Sequence, residues 1–260
     1  MIQTTEGIVL KTLTFRESDQ IVTLLTPRMG KVAGLARYGK KSLKRFGSVL
    51  QPFNILEFQF RERPHSSLIL LEKAAIKIPL FHIYRDIYSI VGSCYCLELM
   101  DELVHERDPN FEKYLLLLNI LQKINNHSLP LPFLLRWYEF RLLTLAGIGP
   151  EFRHCIKCHA AIEDDCDYQF VYWEGGVLCP PCYVSGKMSD VLRGHDVLEF
   201  MAFMDSFDQG SPREIEKHTA VQFRKILHNF IHYHLNKILK SQIFMESLRS
   251  GISCESSAFA

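Results

Sequence analysis

The chain has 260 residues, 47% hydrophobic and 23% charged, with a formal net charge of +1. This is ordinary globular composition, enough for two or three small domains with their own cores, and the near-neutral total excludes a global field that would select a partner. No apolar run reaches the ~18 residues that a spanning helix needs, which excludes a membrane segment. The start, Met1-Ile2-Gln3-Thr4-Thr5-Glu6, lacks the basic head and apolar core of a signal peptide. The eight cysteines are therefore expected in a reducing cytoplasm, not in a secreted disulfide scaffold.

The charge is unevenly spread. Residues 1–79 carry 13 Lys/Arg against 6 Asp/Glu, and residues 80–260 carry 17 against 23. A basic front and an acidic back suggest different partners for the two parts.

Residues 1–79 read as β. Gly7–Phe15, Ile21–Thr26, Lys31–Arg37, Val49–Phe60 and Ser67–Ile76 are rich in β-branched and aromatic residues. Turn signals separate them at Arg16-Glu17-Ser18-Asp19, Pro27-Arg28-Met29-Gly30 and Arg61-Glu62-Arg63-Pro64. Five short strands predict a small barrel, an OB-fold or an SH3-like one. Pro79 marks a switch to helix. Ile83, Ile87, Ile90, Cys94, Leu97 and Val104 keep near-helical spacing, and two further helices are predicted over Phe111–Ile124 and from Pro130 through Leu143, ended by Gly147 and Pro150. A cysteine module occupies 151–185. Helices return over 186–250, where Ser211-Pro212-Arg213-Glu214 has the form of a capping box. The helix it opens is expected to place Phe223, Ile226, Leu227, Phe230, Ile231 and Ile238 on one face. Residues 251–260 are expected to fray.

The sharpest chemistry is two matched pairs, Cys155-Ile156-Lys157-Cys158 and Cys179-Pro180-Pro181-Cys182, separated by twenty residues. Each CxxC turn points two thiolates at one ion, and two turns complete the tetrahedron of a structural Zn2+ site. A short insertion with few apolar residues needs such a staple. The rival is a redox dithiol, which usually needs one CxxC at a helix start. Four thiolates leave no position for a reactive water, so catalytic zinc is not expected. His154, His159 and Cys166 are read as bystanders.

From Gln20 to Leu56 there is no acidic residue, while Arg28, Lys31, Arg37, Lys40, Lys41, Lys44 and Arg45 fall there, the last five within nine residues. Tyr38 and Phe46 lie among them. A basic loop on a small barrel can follow a phosphate backbone while aromatics stack on unpaired bases; the bland reading is a solvated loop. His228, His232 and His234 read as a partly buried or surface helix face, and Cys94 and Cys96 as small core residues. No GxSxG, HExxH or phosphate-binding GxxxxGK[ST] motif occurs.

The segment Phe140-Arg141-Leu142-Leu143-Thr144-Leu145-Ala146-Gly147-Ile148-Gly149-Pro150, leading to the first cysteine pair, resembles the bacterial RecO recombination-mediator family. So does Gly175-Gly176-Val177-Leu178 before the second pair. At the front, Gly7-Ile8-Val9-Leu10-Lys11, Glu17-Ser18-Asp19, Leu24-Leu25-Thr26, Gly30-Lys31 and Gly39-Lys40-Lys41 are similar to the same family. The glycine common after the second cysteine is His159 here. The resemblance implies an α+β fold: an N-terminal five-stranded OB-fold β-barrel, then an α-helical domain carrying an inserted four-cysteine zinc module. It implies a DNA repair protein of homologous recombination (the RecF pathway), bacterial, cytoplasmic, and nucleoid-associated when acting. It implies binding of single- and double-stranded DNA, strand annealing, and action with RecR to help RecA displace single-strand-binding protein, with no enzymatic bond-making. Docking of that protein's acidic tail would need an apolar pocket with a basic rim. The alternatives are an RNA-associated zinc protein, a protein-interaction scaffold whose basic loop meets an acidic partner, and a hydrolase or nuclease, for which no metal-carboxylate constellation is recognisable.

Overall fold

The computed structural model describes residues 1–185 and 189–255. Five strands form first: β1 (Gln3–Phe15), β2 (Asp19–Thr26), β3 (Gly30–Ala36), β4 (Ile55–Arg61) and β5 (Ile69–Ile78). The alternation in β4 shows why. Leu56, Phe58 and Phe60 turn inward while Glu57, Gln59 and Arg61 face water. The strands close in the order β1-β2-β3-β5-β4, with β4 returning to β1 and β3 parallel to β5. This is the OB-fold connectivity, which resolves the choice of barrel. β1 is long enough to serve two neighbours: Gln3–Ile8 pair with β4, and Ile8–Phe15 pair with β2, with a register shift between Val9 and Lys11.

Residues 49–54, expected as the start of the fourth strand, instead fold back over the barrel. Phe46 and Leu50 enter the core beside Val22, Val32, Phe58 and Leu71. Phe46 is fully buried, which corrects its expected role as a stacking platform.

Among the described residues six α-helices follow: α1 (Ile87–Leu103), α2 (Phe111–Asn125), α3 (Leu131–Leu145), α4 (Gly194–Asp208), α5 (Lys217–Leu235) and α6 (Lys240–Glu255). Three strands, β6 (Asp167–Val171), β7 (Gly176–Leu178) and β8 (Ser189–Arg193), form a small antiparallel sheet with β6 in the middle.

Two compact units result, with the division inside α3 after Leu134. This differs from the expected domain list, because α6 belongs with the first unit. Glu98 of α1 accepts hydrogen bonds from the Lys240 and Ser241 amides at 3.0 and 2.9 Å, capping α6 from a helix 142 residues upstream. α1 is apolar nearly all round and is buried accordingly, with Val91, Tyr95, Cys96, Leu97, Leu99 and Met100 covered. Asp86 and Asn110 cap α1 and α2 through the Ser89 and Lys113 amides. Residues 251–255, expected to fray, continue α6 to Glu255, and residues 256–260 lie outside the described residues.

The second unit is built on an aromatic core. Phe200 of α4 and Phe223 of α5 stack at 3.9 Å, and Phe152 meets Phe170, Phe200 and Phe223 at 5.2–5.8 Å. Phe152 and Phe170 come from the cysteine module, so the module is not a core-less insertion, and its sheet uses β8, beyond residue 185. The expected capping box also fails. Residues 211–216 stay non-helical and α5 opens at Lys217, because Glu199 of α4 accepts from the Glu216 amide and the Thr219 hydroxyl, satisfying the helix start from outside. Ile238 lies beyond the left-handed stop at Asn236 and is exposed. His228 lies on a partly buried helix face, as expected, against Arg136 and Glu139, and desolvation pushes its pKa down.

Candidate metal centre and nucleic-acid interface

The four cysteine sulfurs converge. All lie within 4.8 Å of one another, and Cys158 Sγ is 3.5 Å from Cys179 Sγ. A zinc tetrahedron with Zn–S bonds of ~2.3 Å has S···S edges of about 3.8 Å, so the donor set fits such an ion. The first knuckle is closed by the Cys155 amide on Ala160 O (2.8 Å) and the His159 amide on Cys155 O (2.9 Å); the second by the Cys182 amide on Cys179 O (2.8 Å). His159 adopts φ +61°, the left-handed conformation that glycine takes freely. The turn keeps its shape without its usual glycine, at the cost of local strain. Gly176 leaves the room the knuckle needs, since a Cβ there would overlap Ile156.

Electrostatics make the pocket ready for a cation. Burial opposes ionisation of Cys155, yet backbone N–H groups of Cys158, Cys179 and Lys157 outweigh it and hold the thiol down to about 6. Burial and the neighbouring thiols push Cys179 up to about 12. Four sulfurs this close cannot all ionise unaided, and a divalent cation relieves that conflict. Cys155 is fully buried and Cys158 exposed. His154 and His159 do not join the cluster of candidate ligands, nor does Cys166.

The barrel divides the seven expected basic residues. Arg37, Lys40, Lys41, Lys44 and Arg45 lie on the loop after β3. Arg28 and Lys31 sit at the other end of β3, roughly 20 Å away at ~3.3 Å per residue. Arg28 is exposed. Lys31 is engaged: its ammonium reaches Asp101 Oδ1 at 3.1 Å and Asp101 O at 2.5 Å, and only 14% of its side chain is exposed. It ties the barrel to α1. The ammonium groups of Lys31 and Lys11 overcome burial to hold the Asp101 carboxyl low. Arg45 is half-buried and works within the loop, bonding Arg37 O (2.6 Å) and Ser42 Oγ (3.1 Å). Lys40, Lys41 and Lys44 are exposed.

The loop adjoins a cleft of about 650 Å³ whose lining includes Phe15, Arg16, Arg37, Tyr38, Arg63 and Leu68. These come from the β1–β2 turn, the β3–β4 loop and the β4–β5 turn. OB-folds use the first and last of these connections to hold oligonucleotides. Two acids, Glu17 and Asp19, share the lining with the three arginines; Asp19 Oδ1 accepts the Tyr38 amide at 2.8 Å and so holds the loop, while Glu17 is exposed. Tyr38 and Phe15 are exposed, and Arg16 lies 5.3 Å over the Phe15 ring.

Known proteins match this arrangement along nearly the whole chain. The family model described as Recombination protein O N terminal matches residues 1–78, and that for Recombination protein O C terminal matches residues 84–243. The chain belongs to the RecO family. It is similar to the DNA repair protein RecO of Syntrophus aciditrophicus (strain SB), 32% identical over 257 residues covering 95% of this chain and 97% of that one. It is 31% identical to the DNA repair protein RecO of Anaeromyxobacter sp. (strain Fw109-5) over 93% and 94% of the two chains, and 28% identical to that of Myxococcus xanthus (strain DK1622) over 92% and 95%. The RecO fold thus covers both units. No helix among the described residues is long and apolar enough to cross a membrane.

Sequence reasoning missed Arg16, Phe15 and Arg63 as parts of the RecO-family barrel's cleft. Their signal was present: both segments read as turns, and an OB-fold makes those turns its ligand-facing loops.

Proposed function

We propose that this RecO-family chain is a recombination mediator that binds single- and double-stranded DNA on the cleft side of its barrel and anneals complementary strands. With RecR it helps load RecA onto DNA coated by single-strand-binding protein. One observation carries this reading: Arg16, Arg37 and Arg63 line a cleft with exposed Phe15 and Tyr38, while Lys40, Lys41 and Lys44 stand on the adjoining loop. Cations follow the phosphates without reading sequence, and the aromatic faces accept any base. Annealing needs that combination, because screened strands approach each other and their pairing edges stay free. The work is binding, without bond-making chemistry, in the bacterial cytoplasm.

Zn2+ is the ion that best suits the four thiolates, held by Cys155, Cys158, Cys179 and Cys182 in a structural role. The cleft lined by Val191, Val221, Arg193 and Lys217 also carries Asp167, Asp196 and Glu216, so it lacks the basic rim that the acidic tail of single-strand-binding protein needs. The test is strand annealing of complementary oligonucleotides, alone and with RecR and single-strand-binding protein. Acceleration by the chain is expected. Pairing no faster than the uncatalysed rate, or tighter binding of structured RNA than of single-stranded DNA at matched salt, would overturn the reading.

A further inference from the structure

At the tip of the basic loop stands an apolar side chain that phosphate binding does not need. Leu43 is 77% exposed, and among the described large apolar residues only Met1 is more so. Its neighbours are Lys40, Lys41, Lys44 and Arg45, and no acidic residue lies anywhere from Gln20 to Leu56. An isolated exposed leucine is ordinary on most surfaces. Here its support is unusual.

The loop that presents it is built, not slack. Tyr38 O accepts from the Lys41 and Ser42 amides at 3.0 and 2.9 Å, and Ser42 O accepts from the Phe46 amide at 3.0 Å. The Lys40 amide is tied to Ser18 O on the β1–β2 turn (3.2 Å), and Arg45 O accepts the Ala74 amide of β5 (3.0 Å). Phe46 anchors the far end in the barrel core. Tyr38 takes φ +55°, Gly47 φ +50° and Ser48 φ +63°, so left-handed residues flank the tip on both sides. Leu43 is thereby held out on a rigid turn between cations.

We propose that Leu43 is a wedge that inserts between adjacent bases of the DNA strand held by the flanking lysines, breaking their stack. Apolar side chains carried on cationic, fixed elements part base steps in this way: burial of the side chain offsets part of the unstacking penalty while phosphate contacts hold the backbone. The consequence suits annealing, since an unstacked, extended strand presents its pairing edges to a second strand. The proposal rests on the DNA reading above and names the residue that deforms the strand.

The test uses the full chain and a single-stranded oligonucleotide with 2-aminopurine between adenines, whose fluorescence rises when stacking is lost. The expected result is a rise with the wild type. With Leu43→Ser no rise should occur, affinity should fall roughly tenfold, as befits loss of a buried leucine side chain, and the salt slope should stay unchanged. Leu43→Met should restore the rise. Because Leu43 is exposed, the serine variant is expected to fold normally. Leu43→Ser matching the wild type in fluorescence and affinity would overturn the wedge alone. A wild-type chain that binds no DNA even at low salt would overturn the DNA reading with it. Binding of anionic phospholipid vesicles lost in Leu43→Ser, with DNA signals unchanged, would give the leucine to a membrane surface and refute the proposal.

Discussion

Replacing Lys40, Lys41 and Lys44 together by glutamine separates a DNA-contacting loop from a merely solvated one. The three side chains are exposed, and none has an ion pair among the described residues. Arg45 is spared because its bonds to Arg37 O and Ser42 Oγ hold the loop's shape. On a single strand each neutralised phosphate contributes about 0.7 to the slope of log affinity against log salt. Three lost contacts should flatten the slope by about 2 and weaken binding about a hundredfold at 0.1 M salt, with the loss shrinking towards 1 M. Fluorescence anisotropy of a labelled oligonucleotide over a salt series measures both quantities. Lys31→Gln is the control. Its ammonium is committed to Asp101, so the slope should hold while the thermal midpoint falls from the loss of a largely buried ion pair. An unchanged slope in the triple variant, or a flattened one in Lys31→Gln, would refute this assignment of roles.

Two predictions concern the cysteine centre. Removing the metal by chelation, or replacing Cys155 by serine, should lower the melting temperature and release one zinc per chain, read by metal analysis. It should leave most far-ultraviolet helical signal in place, because Phe152 and Phe170 remain packed with Phe200 and Phe223; collapse of that signal would make the metal the organiser of the whole unit. His159→Gly should raise stability by ~0.4–1 kcal/mol, since glycine takes φ +61° without strain and the imidazole adds no metal ligand, and chemical denaturation of the metal-loaded protein measures it.

Local signals made much of this structure legible. The paired cysteines announced a four-sulfur centre because a CxxC turn fixes its ligands within a few residues. The strands of the barrel showed in β-branched runs punctuated by turns, and Gly147, at φ +79° after α3, stands where a helix stop was read. What stayed hidden depends on partners remote in sequence. Phe46 looked like a stacking aromatic until the loop folded it into the barrel. Lys31 looked like one more cation in an acid-free run, because Asp101 lies seventy residues away. The start of α5 moved to Lys217 because Glu199 supplies the cap that Ser211 was expected to give. In each case the residue type was read correctly and its partner was not visible.

The same distinction governs which features can carry function. A cation that finds an acid in the fold, as Lys31 does, is absorbed into stability and has little left for a partner. A cation without one keeps its field for the solvent side, and the loop after β3 collects three such lysines, Lys40, Lys41 and Lys44. The four cysteines are the opposite case: their sulfurs converge on one another, and an ion held by all four would leave no open position for further chemistry. The most recognisable motif in the chain is therefore suited to tying the fold, not to catalysis. The surface proposed for DNA lies in turns that carry no motif of their own; the barrel connectivity brings Arg16, Arg37 and Arg63 to one cleft.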